Sequence, residues 1–428
     1  MKKIKVLIYP CGAENALEVY AAIRHSVHVQ VVAATSKYDH SDLIYEEQVF
    51  ILPNVVDTNF VEEVNDLILQ EKIDFIFPTH DTVALYLAKY QAVIKAGVIT
   101  SDYVTNEICR YKSKTYEVFS SQPFVPIVFN NVIPNEFPIF AKPDVGEGAK
   151  GASKISNLEE YNQLQAKVSS RDLVFVEYLP GKEYTIDCFT DRNGKLLFCG
   201  ARERAHVSMG ISFHNKEFAV TEDIKNIADA INTKLSLRGL WFFQLKEDKN
   251  GHLKLLEVST RVASSMGFFR QKGVNFPLLS IFDAMGMNVE INSNEFTVEL
   301  FRSTTNRYRL GIDYDNVYID FDDTLIVNNK VNLSLIKFIY QCISKNKRII
   351  LITKHAEDLT VTLRKYRISP VLFDEIVVLK LTDRKSEAIK KHRSIFIDNW
   401  YLERKEVKEA LGIPVFDVDA IDGLLSGY

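Results

Sequence analysis

Short apolar runs alternate with stretches of helical periodicity from the start of this chain. Ile4–Tyr9 is apolar, breaks at Pro10-Cys11-Gly12-Ala13, and gives way to Leu17, Tyr20, Ala21 and Ile23 at helical spacing. Val27–Ala34 reads as a second strand, Val61–Leu69 as a helix and Phe75–Phe77 as a later strand. Strands alternating with helices predict a parallel, doubly wound sheet. In such sheets the loops at the carboxyl ends of strands line the ligand crevice, here Gly12 to Asn15 and Thr79-His80-Asp81-Thr82. His80 and Asp81 are candidates for substrate contact; a plain turn is the alternative.

Leu240–Arg261 carries two apolar, β-branched runs around Asn250-Gly251. That dipeptide suits a two-residue type I′ turn, because both central residues need positive φ. Pairing Lys249 with His252 sets Gln244 opposite Glu257, Phe242 opposite Ser259 and Leu240 opposite Arg261. Cross-strand partners share a face. One face then presents an amide oxygen, a carboxylate, a hydroxyl and a guanidinium. Hard oxygen ligands beside an arginine suit magnesium holding nucleotide phosphates; an ordinary exposed polar face is the alternative.

Phe301–Asp315 is polar with little periodicity and reads as a linker. A second α/β pattern follows, with apolar runs at Val317–Ile319, Arg348–Ile352 and Ile395–Ile397. They deliver Asp320, Thr353 and Asp398 at their carboxyl ends, where a parallel sheet places its site. Asp320 and Asp322, two residues apart, can divide labour: the first attacks phosphorus and the second protonates the leaving oxygen.

Composition adds constraints. A chain of 428 residues is a soft prior for two or three domains. With 46% hydrophobic and 25% charged residues it is ordinary for a globular protein. A net charge of −4 argues against nucleic acid as a partner. Cys11, Cys109, Cys188, Cys199 and Cys342 show no CxxC spacing, so neither a zinc site nor a disulfide framework is indicated and a cytoplasmic setting fits. No apolar run reaches the length of a membrane span, and the N-terminal run is too short for a signal sequence.

Between the two patterns, Phe140-Ala141-Lys142-Pro143 leads into DVGEGAKGAS. Gly146, Gly148 and Gly151 let backbone N–H groups approach phosphate oxygens, and Lys142 supplies charge. No GK[ST] follows, so this is not a P-loop. Arg202 and Arg204 could clamp a carboxylate bidentately or sit on a solvated strand edge. His206 shares that polar stretch, and His214 has no partner evident in the sequence.

In order and spacing, these elements resemble the ATP-grasp enzymes over roughly the first 300 residues. EVSTRVASS is most similar to the carbamoyl-phosphate synthetase large-subunit branch. The resemblance implies that Lys114 and Lys142 contact ATP, the glycine loop covers its phosphates, Glu177 and the backbone at Leu179 meet adenine, and Glu183 meets the ribose. It implies magnesium or manganese on Gln244, Glu257 and Ser259, with Arg261 at the phosphates. Ser259 departs from the family's Glu-x-Asn-x-Arg pattern. Asp320, Asp322, Thr353, a lysine before the last strand (Lys385 or Lys380) and Asp398 resemble the haloacid dehalogenase-like phosphatases. That likeness implies magnesium on Asp320, Asp322 and Asp398, with Thr353 and Lys385 neutralising the phosphoryl group. Asn399 replaces a second acidic residue, for which Glu403 is the candidate substitute.

The expectation is therefore an α/β multidomain protein: a pre-ATP-grasp Rossmann-like domain over 1–112, an ATP-grasp domain of two α+β subdomains over 113–303, and a capless Rossmann-like haloacid dehalogenase-type domain over 312–428. Its function would be bifunctional. An ATP-dependent ligase would join a small carboxylate to an amine through an acyl phosphate, and a phosphatase would act on the same phosphorylated substrate or product. A phosphatase with a nucleotide-sensing, non-ligating ATP-grasp part, and a scaffold with both sites dormant, are the alternatives. No nucleic acid or membrane partner is expected, and a homodimer stays open.

Overall fold

The computed structural model describes residues 3–129, 133–146, 148, 150–167 and 172–425. The chain divides into two compact units, Met1–Thr304 and Thr305–Tyr428. Unit one begins with strands β1 (Ile4–Tyr9), β2 (Val29–Thr35), β3 (Val49–Ile51), β4 (Phe75–Pro78) and β5 (Gly97–Val98). They form a parallel sheet in the order β3-β2-β1-β4-β5, so the direction of winding switches between β1 and β4. The sheet is covered by helices α1 (Glu14–Ile23), α2 (Phe60–Glu71) and α3 (Asp81–Lys89). The second strand starts two residues later than its apolar pattern: Val29 N–H closes a turn onto Ser26, leaving Val27 exposed.

Helices α4 (Tyr103–Arg110) and α5 (Lys112–Val118) lead to a three-stranded antiparallel sheet of β6 (Ile139–Pro143), β7 (Ser153–Ile155) and β8 (Leu173–Glu177), ordered β7-β6-β8. A six-stranded antiparallel sheet follows. It comprises β9 (Glu183–Thr190), β10 (Leu196–Ser208), β11 (Ile211–Phe218), β12 (Gly239–Glu247), β13 (Leu253–Ser259) and β14 (Glu299–Phe301), in the order β13-β12-β9-β10-β11-β14. Phe189, Leu240 and Phe242 share one core with β1, β2 and α1, which ties the first sheet to the third. The other face of the large sheet packs Trp241 and Phe243 against Ile224, Ala228 and Ile231 of the helix Glu222–Lys234. Phe301, expected to open the linker, closes β14 instead. It pairs with His214, whose ring stacks on it at 4.1 Å, so irregular backbone begins only after it.

The β12–β13 hairpin holds the expected pairs at its far end, Gln244 opposite Glu257 and Phe242 opposite Ser259. The turn is different. Only Gly251 has positive φ, so no type I′ turn forms. Asp248 instead pairs with His252 across a three-residue loop, and its carboxylate accepts from the N–H groups of Asn250 and His252 at 2.7 and 2.9 Å. That loop sets Leu245 opposite Leu255, one residue out of the expected register. A bulge at Leu256 absorbs the difference before Glu257. Arg261 lies beyond the end of β13, so the expected Leu240–Arg261 pair is not part of the ladder.

Unit two contains β15 (Asn316–Ile319), a small hairpin of β16 (Ile326–Val327) and β17 (Lys330–Val331), then β18 (Arg348–Thr353), β19 (Glu375–Val378), β20 (Ser394–Ile397) and β21 (Val415–Phe416). The main sheet is parallel in the order β19-β18-β15-β20-β21. Asp320, Thr353 and Asp398 therefore leave three adjacent strands at the same sheet edge.

Candidate functional site

In unit one, β6, β8, β12 and the β10–β11 hairpin surround a cleft of about 250 Å3. Lys142 reaches into it from β6 and is only 7% exposed. Its ammonium donates to the Tyr116 hydroxyl and to the Leu256 carbonyl at 3.1 Å, the carbonyl of the bulge residue. Burial pushes Lys142 down to about 7, and repulsion from Lys112 adds to this against the pull of Glu257 and Glu183. Lys112 lines the same cleft and touches the Gly146 carbonyl at 3.3 Å. Lys114, the lysine expected there, instead pairs with Glu107 at 3.0 Å. The two are separated by two positions on α5, about 200° around its axis, so only one can face the cleft.

Glu177, Leu179 and Glu183 all line this cleft. Glu177 accepts from Ile127 N–H at 2.9 Å, while Glu183 is engaged by Arg204 and lies 3.5 Å from Lys246. Of the glycine loop, Gly146 and Gly148 face the cleft and Gly151 adopts φ 75°; Glu147 and Ala149 lie outside the described residues. The tip of the β10–β11 hairpin meets this loop so closely that a Cβ on Gly210 would stand 2.4 Å from the Gly148 carbonyl carbon. Only glycine fits that crossing.

A second cleft of about 370 Å3 continues past Gln244 and Glu257, which line both. Here Asp81, the first residue of α3, accepts from Ser259 Oγ and from Arg261 Nε, each at 2.7 Å. Burial alone would raise its pKa, but Arg261, Ser259 and Arg110 outweigh that and hold the carboxyl well below the usual range. His80 caps α3 by accepting from Thr82 N–H at 3.2 Å while facing the second cleft. Gln244 Oε1 accepts from Arg204 at 2.9 Å, which leaves it a second lone pair. Gln244, Glu257 and Ser259 thus offer an amide, a carboxylate and a hydroxyl oxygen, a donor set that fits magnesium shared with phosphate oxygens. Arg202, also at this cleft, is committed elsewhere. Its guanidinium, 1% exposed, forks onto Asp187 at 2.7 and 3.2 Å and donates to Asn215.

Sequence reasoning passed over Lys112, Lys150 and the bridge from Asp81 to Ser259 and Arg261. Lys112 stood two positions from the chosen lysine. The Asp81 bridge spans 178 and 180 residues and left no local signal.

In unit two, Lys385 donates to Asp320 at 2.5 Å and to Asp398 at 2.7 Å. Lys385, not Lys380, makes these contacts; the Lys380 backbone N–H donates to Asp383 at 2.8 Å. Burial pushes Asp320 up to about 6, with Lys385 opposing and Asp398 reinforcing the shift. Asp398 is raised in the same way, and its Oδ1 accepts from Trp400 N–H at 2.7 Å. Thr324 donates to Asp320 or Asn399, at 3.1 and 3.2 Å. Thr353 is fully buried at the end of β18. Asp322 meets His355 Nδ1 at 2.9 Å. Glu403 is held by Lys354 at 2.6 Å. Among the described residues no group of three or more His, Cys, Asp or Glu side chains could hold a metal ion by itself. Asp320 and Asp398, two buried carboxylates sharing one ammonium, fit magnesium, which typically takes one or two carboxylates and keeps water and phosphate as its other ligands. No helix among the described residues is long and apolar enough to cross a membrane.

Residues 169–305 match the protein family described as ATP-grasp in the biosynthetic pathway with Ter operon. No curated protein matches the chain in sequence. Among solved structures, the chain is similar to the biotin carboxylase domain of Hydrogenobacter thermophilus 2-oxoglutarate carboxylase, with TM-score 0.55 and 19% identity over 68% of this chain and 71% of that one. An L-amino acid ligase from Bacillus licheniformis gives TM-score 0.54 and 18% identity over 66% and 74%. The N5-carboxyaminoimidazole synthetase of Staphylococcus aureus, complexed with ADP, gives 0.55 and 17% over 67% and 79%. These likenesses give the chain an ATP-grasp architecture within its α/β fold.

Proposed function

We propose that this chain is a bifunctional enzyme, an ATP-dependent carboxylate–amine ligase followed by a magnesium-dependent phosphatase. The observation that carries the ligase reading is the junction of the two clefts: Lys112, Lys142 and Gly148 on one side meet Gln244 and Glu257 on the other. Lys112 and Lys142 would neutralise phosphates, and the oxygens of Gln244 and Glu257 would hold a magnesium ion that adds charge neutralisation there. ATP would lie in the first cleft, with Glu177 and Leu179 toward adenine and Glu183 toward the ribose, and the carboxylate in the second. Its activation to an acyl phosphate, and attack by the amine, follow from that order. The ADP in the Staphylococcus aureus structure and the name of the Bacillus licheniformis ligase support this reading. On the Glu257-Val258-Ser259-Thr260-Arg261 run we place the ligase with the carbamoyl-phosphate synthetase large-subunit branch.

Domains at 1–112, 113–303 and 312–428 complete the proposal, the last as a capless phosphatase of the haloacid dehalogenase type. Asp320 would attack phosphorus, Asp322 would serve as acid and base, and Lys385 and Thr353 would neutralise the phosphoryl group. Its support is the convergence of Asp320, Asp398 and Lys385 at one sheet edge. Magnesium would supply charge neutralisation at those carboxylates. We place its substrate among the phosphorylated substrates or products of the ligase.

The experiment is a screen of carboxylic acids with an amine mixture, read as ADP release. Release that needs both partners supports the ligase. A second reading, a nucleotide-sensing part that does not ligate, draws on Asp81, which occupies Ser259 and Arg261. ATP binding without carboxylate-dependent ADP release would favour it.

A further inference from the structure

We propose that Cys188 and Cys199 form a reversible oxidation site, at which a peroxide oxidises Cys199 and Cys188 closes a disulfide onto it. No CxxC spacing announces the pair in the sequence. The turn in which Asp191 N–H closes onto the Lys195 carbonyl folds β10 back along β9 and sets the two cysteines directly opposite each other. The ladder around them runs without interruption from Phe198–Phe189 to Glu203–Tyr184, so their spacing is fixed before any bond forms. Opposed residues of antiparallel strands stand about 4.5–5.5 Å apart at Cα, inside the roughly 4.4–6.8 Å that a disulfide spans.

Direct cross-strand partners also share a face. Cys188 belongs to the core built by Trp241, Phe243, Ile224 and Ala228, and Cys199 packs against that same core. The other three cysteines stand elsewhere: Cys11 follows β1, Cys109 lies on α4 and Cys342 on the helix Leu333–Ser344.

Burial assigns the two roles. Cys188 is fully buried, whereas Cys199 is partly exposed, so an oxidant from solvent meets Cys199 first. Burial, with the Cys199 thiol beside it, pushes the Cys188 thiol up, which keeps it protonated and unreactive until its partner has changed.

The chemistry balances. The Cys199 sulfur, after giving up its proton, attacks one oxygen of hydrogen peroxide; the O–O bond breaks, Cys199 becomes a sulfenic acid, and the departing hydroxide takes the proton to form water. The Cys188 sulfur then attacks the Cys199 sulfur. The S–S bond forms as the S–O bond breaks, and the oxygen leaves with the Cys188 proton as a second water. Two thiols and one peroxide thus give one disulfide and two waters. A sulfenic acid without a thiol neighbour goes on to sulfinic acid, which thiols do not reverse. Cys188 stops that sequence at a step a dithiol can undo, and it does so without moving either strand.

The test treats the full chain with hydrogen peroxide, blocks the remaining thiols with iodoacetamide and follows the cysteine peptides by mass spectrometry. In the wild type the Cys188 and Cys199 peptides should appear joined and lighter by two hydrogens, and dithiothreitol should return both thiols. Cys188→Ser should leave about tenfold more Cys199 as sulfinic or sulfonic acid, which dithiothreitol does not reduce. Cys199→Ser should leave Cys188 as an unmodified thiol. Cys199 driven to sulfinic acid in the wild type while Cys188 stays free, a bond from Cys199 to any other cysteine, or resistance of both thiols to peroxide overturns the inference. So does oxidation of Cys188 in Cys199→Ser at the wild-type rate. Should Cys188→Ser fail to fold with a hydroxyl in the core, Cys188→Ala takes its place, and the wild-type cross-link is decided without either.

Discussion

The two candidate sites are short of opposite charges. In unit one the buried ammonium of Lys142 is pushed down to about 7, and its neighbour Lys112 pushes the same way. In unit two the buried carboxyl of Asp320 is pushed up to about 6, and its neighbour Asp398 pushes the same way. Burial disfavours whichever form is charged, and a like charge nearby deepens the effect. What differs is the missing counter-ion. A pocket with paired lysines is completed by an anion, and a pair of carboxylates around one lysine by a cation. Phosphate groups fit the first, and a divalent metal beside phosphate fits the second.

Removing the carboxylate proposed to attack phosphorus in the second site should break the comparison most sharply. Asp320→Asn keeps the shape but removes the charge, so hydrolysis of an added phosphate monoester should fall by orders of magnitude while ADP formation stays unchanged. Wild-type ester hydrolysis by this variant would remove the basis for a nucleophile at Asp320. Glu257→Ala should take ADP formation below detection and leave ester hydrolysis intact, because it deletes the carboxylate common to both clefts of unit one. If both activities fell together, the sites would not be independent.

Lys142→Met should weaken ATP about tenfold to a hundredfold, roughly 1.4–2.8 kcal/mol, as measured by calorimetric titration. An unchanged affinity would mean that the buried ammonium does not meet phosphate. The smallest effect should lie in pH. With Lys142 at about 7, below its ordinary 10.5, its ammonium is present under pH 7 and lost above it. ATP affinity should therefore weaken from pH 6 to pH 8, and the difference between wild type and Lys142→Met should shrink over that range. A constant difference would place the titration elsewhere.

Much of this arrangement could be read from local pattern. Asp320, Thr353 and Asp398 were legible because each ends an apolar run, and parallel strands bring such ends together. The face carrying Gln244 and Glu257 was legible for a less secure reason. The assumed turn was one residue too tight, and the bulge at Leu256 restored the register that the turn would have lost. Lys114 rests on the family resemblance alone; that Lys112 faces the cleft instead depends on how α5 packs against the sheets, which periodicity does not show. Asp81 could be marked as a strand-end candidate, but not as the partner of Ser259 and Arg261, since nothing in a sequence measures a contact across 178 residues.

The bulge at Leu256 also works as an expansion joint. On its loop side the hairpin follows the spacing that Asp248 and His252 impose, and on its site side the spacing that Gln244 and Glu257 require. Tyr116 and Lys142 clamp the Leu256 carbonyl at 2.9 and 3.1 Å, so the joint is anchored to the body of the protein rather than to its own loop. Changes of length at Lys249, Asn250 and Gly251 are stopped there. The tip is thus a place where a tag or a fluorophore could be spliced in without shifting Gln244 or Glu257.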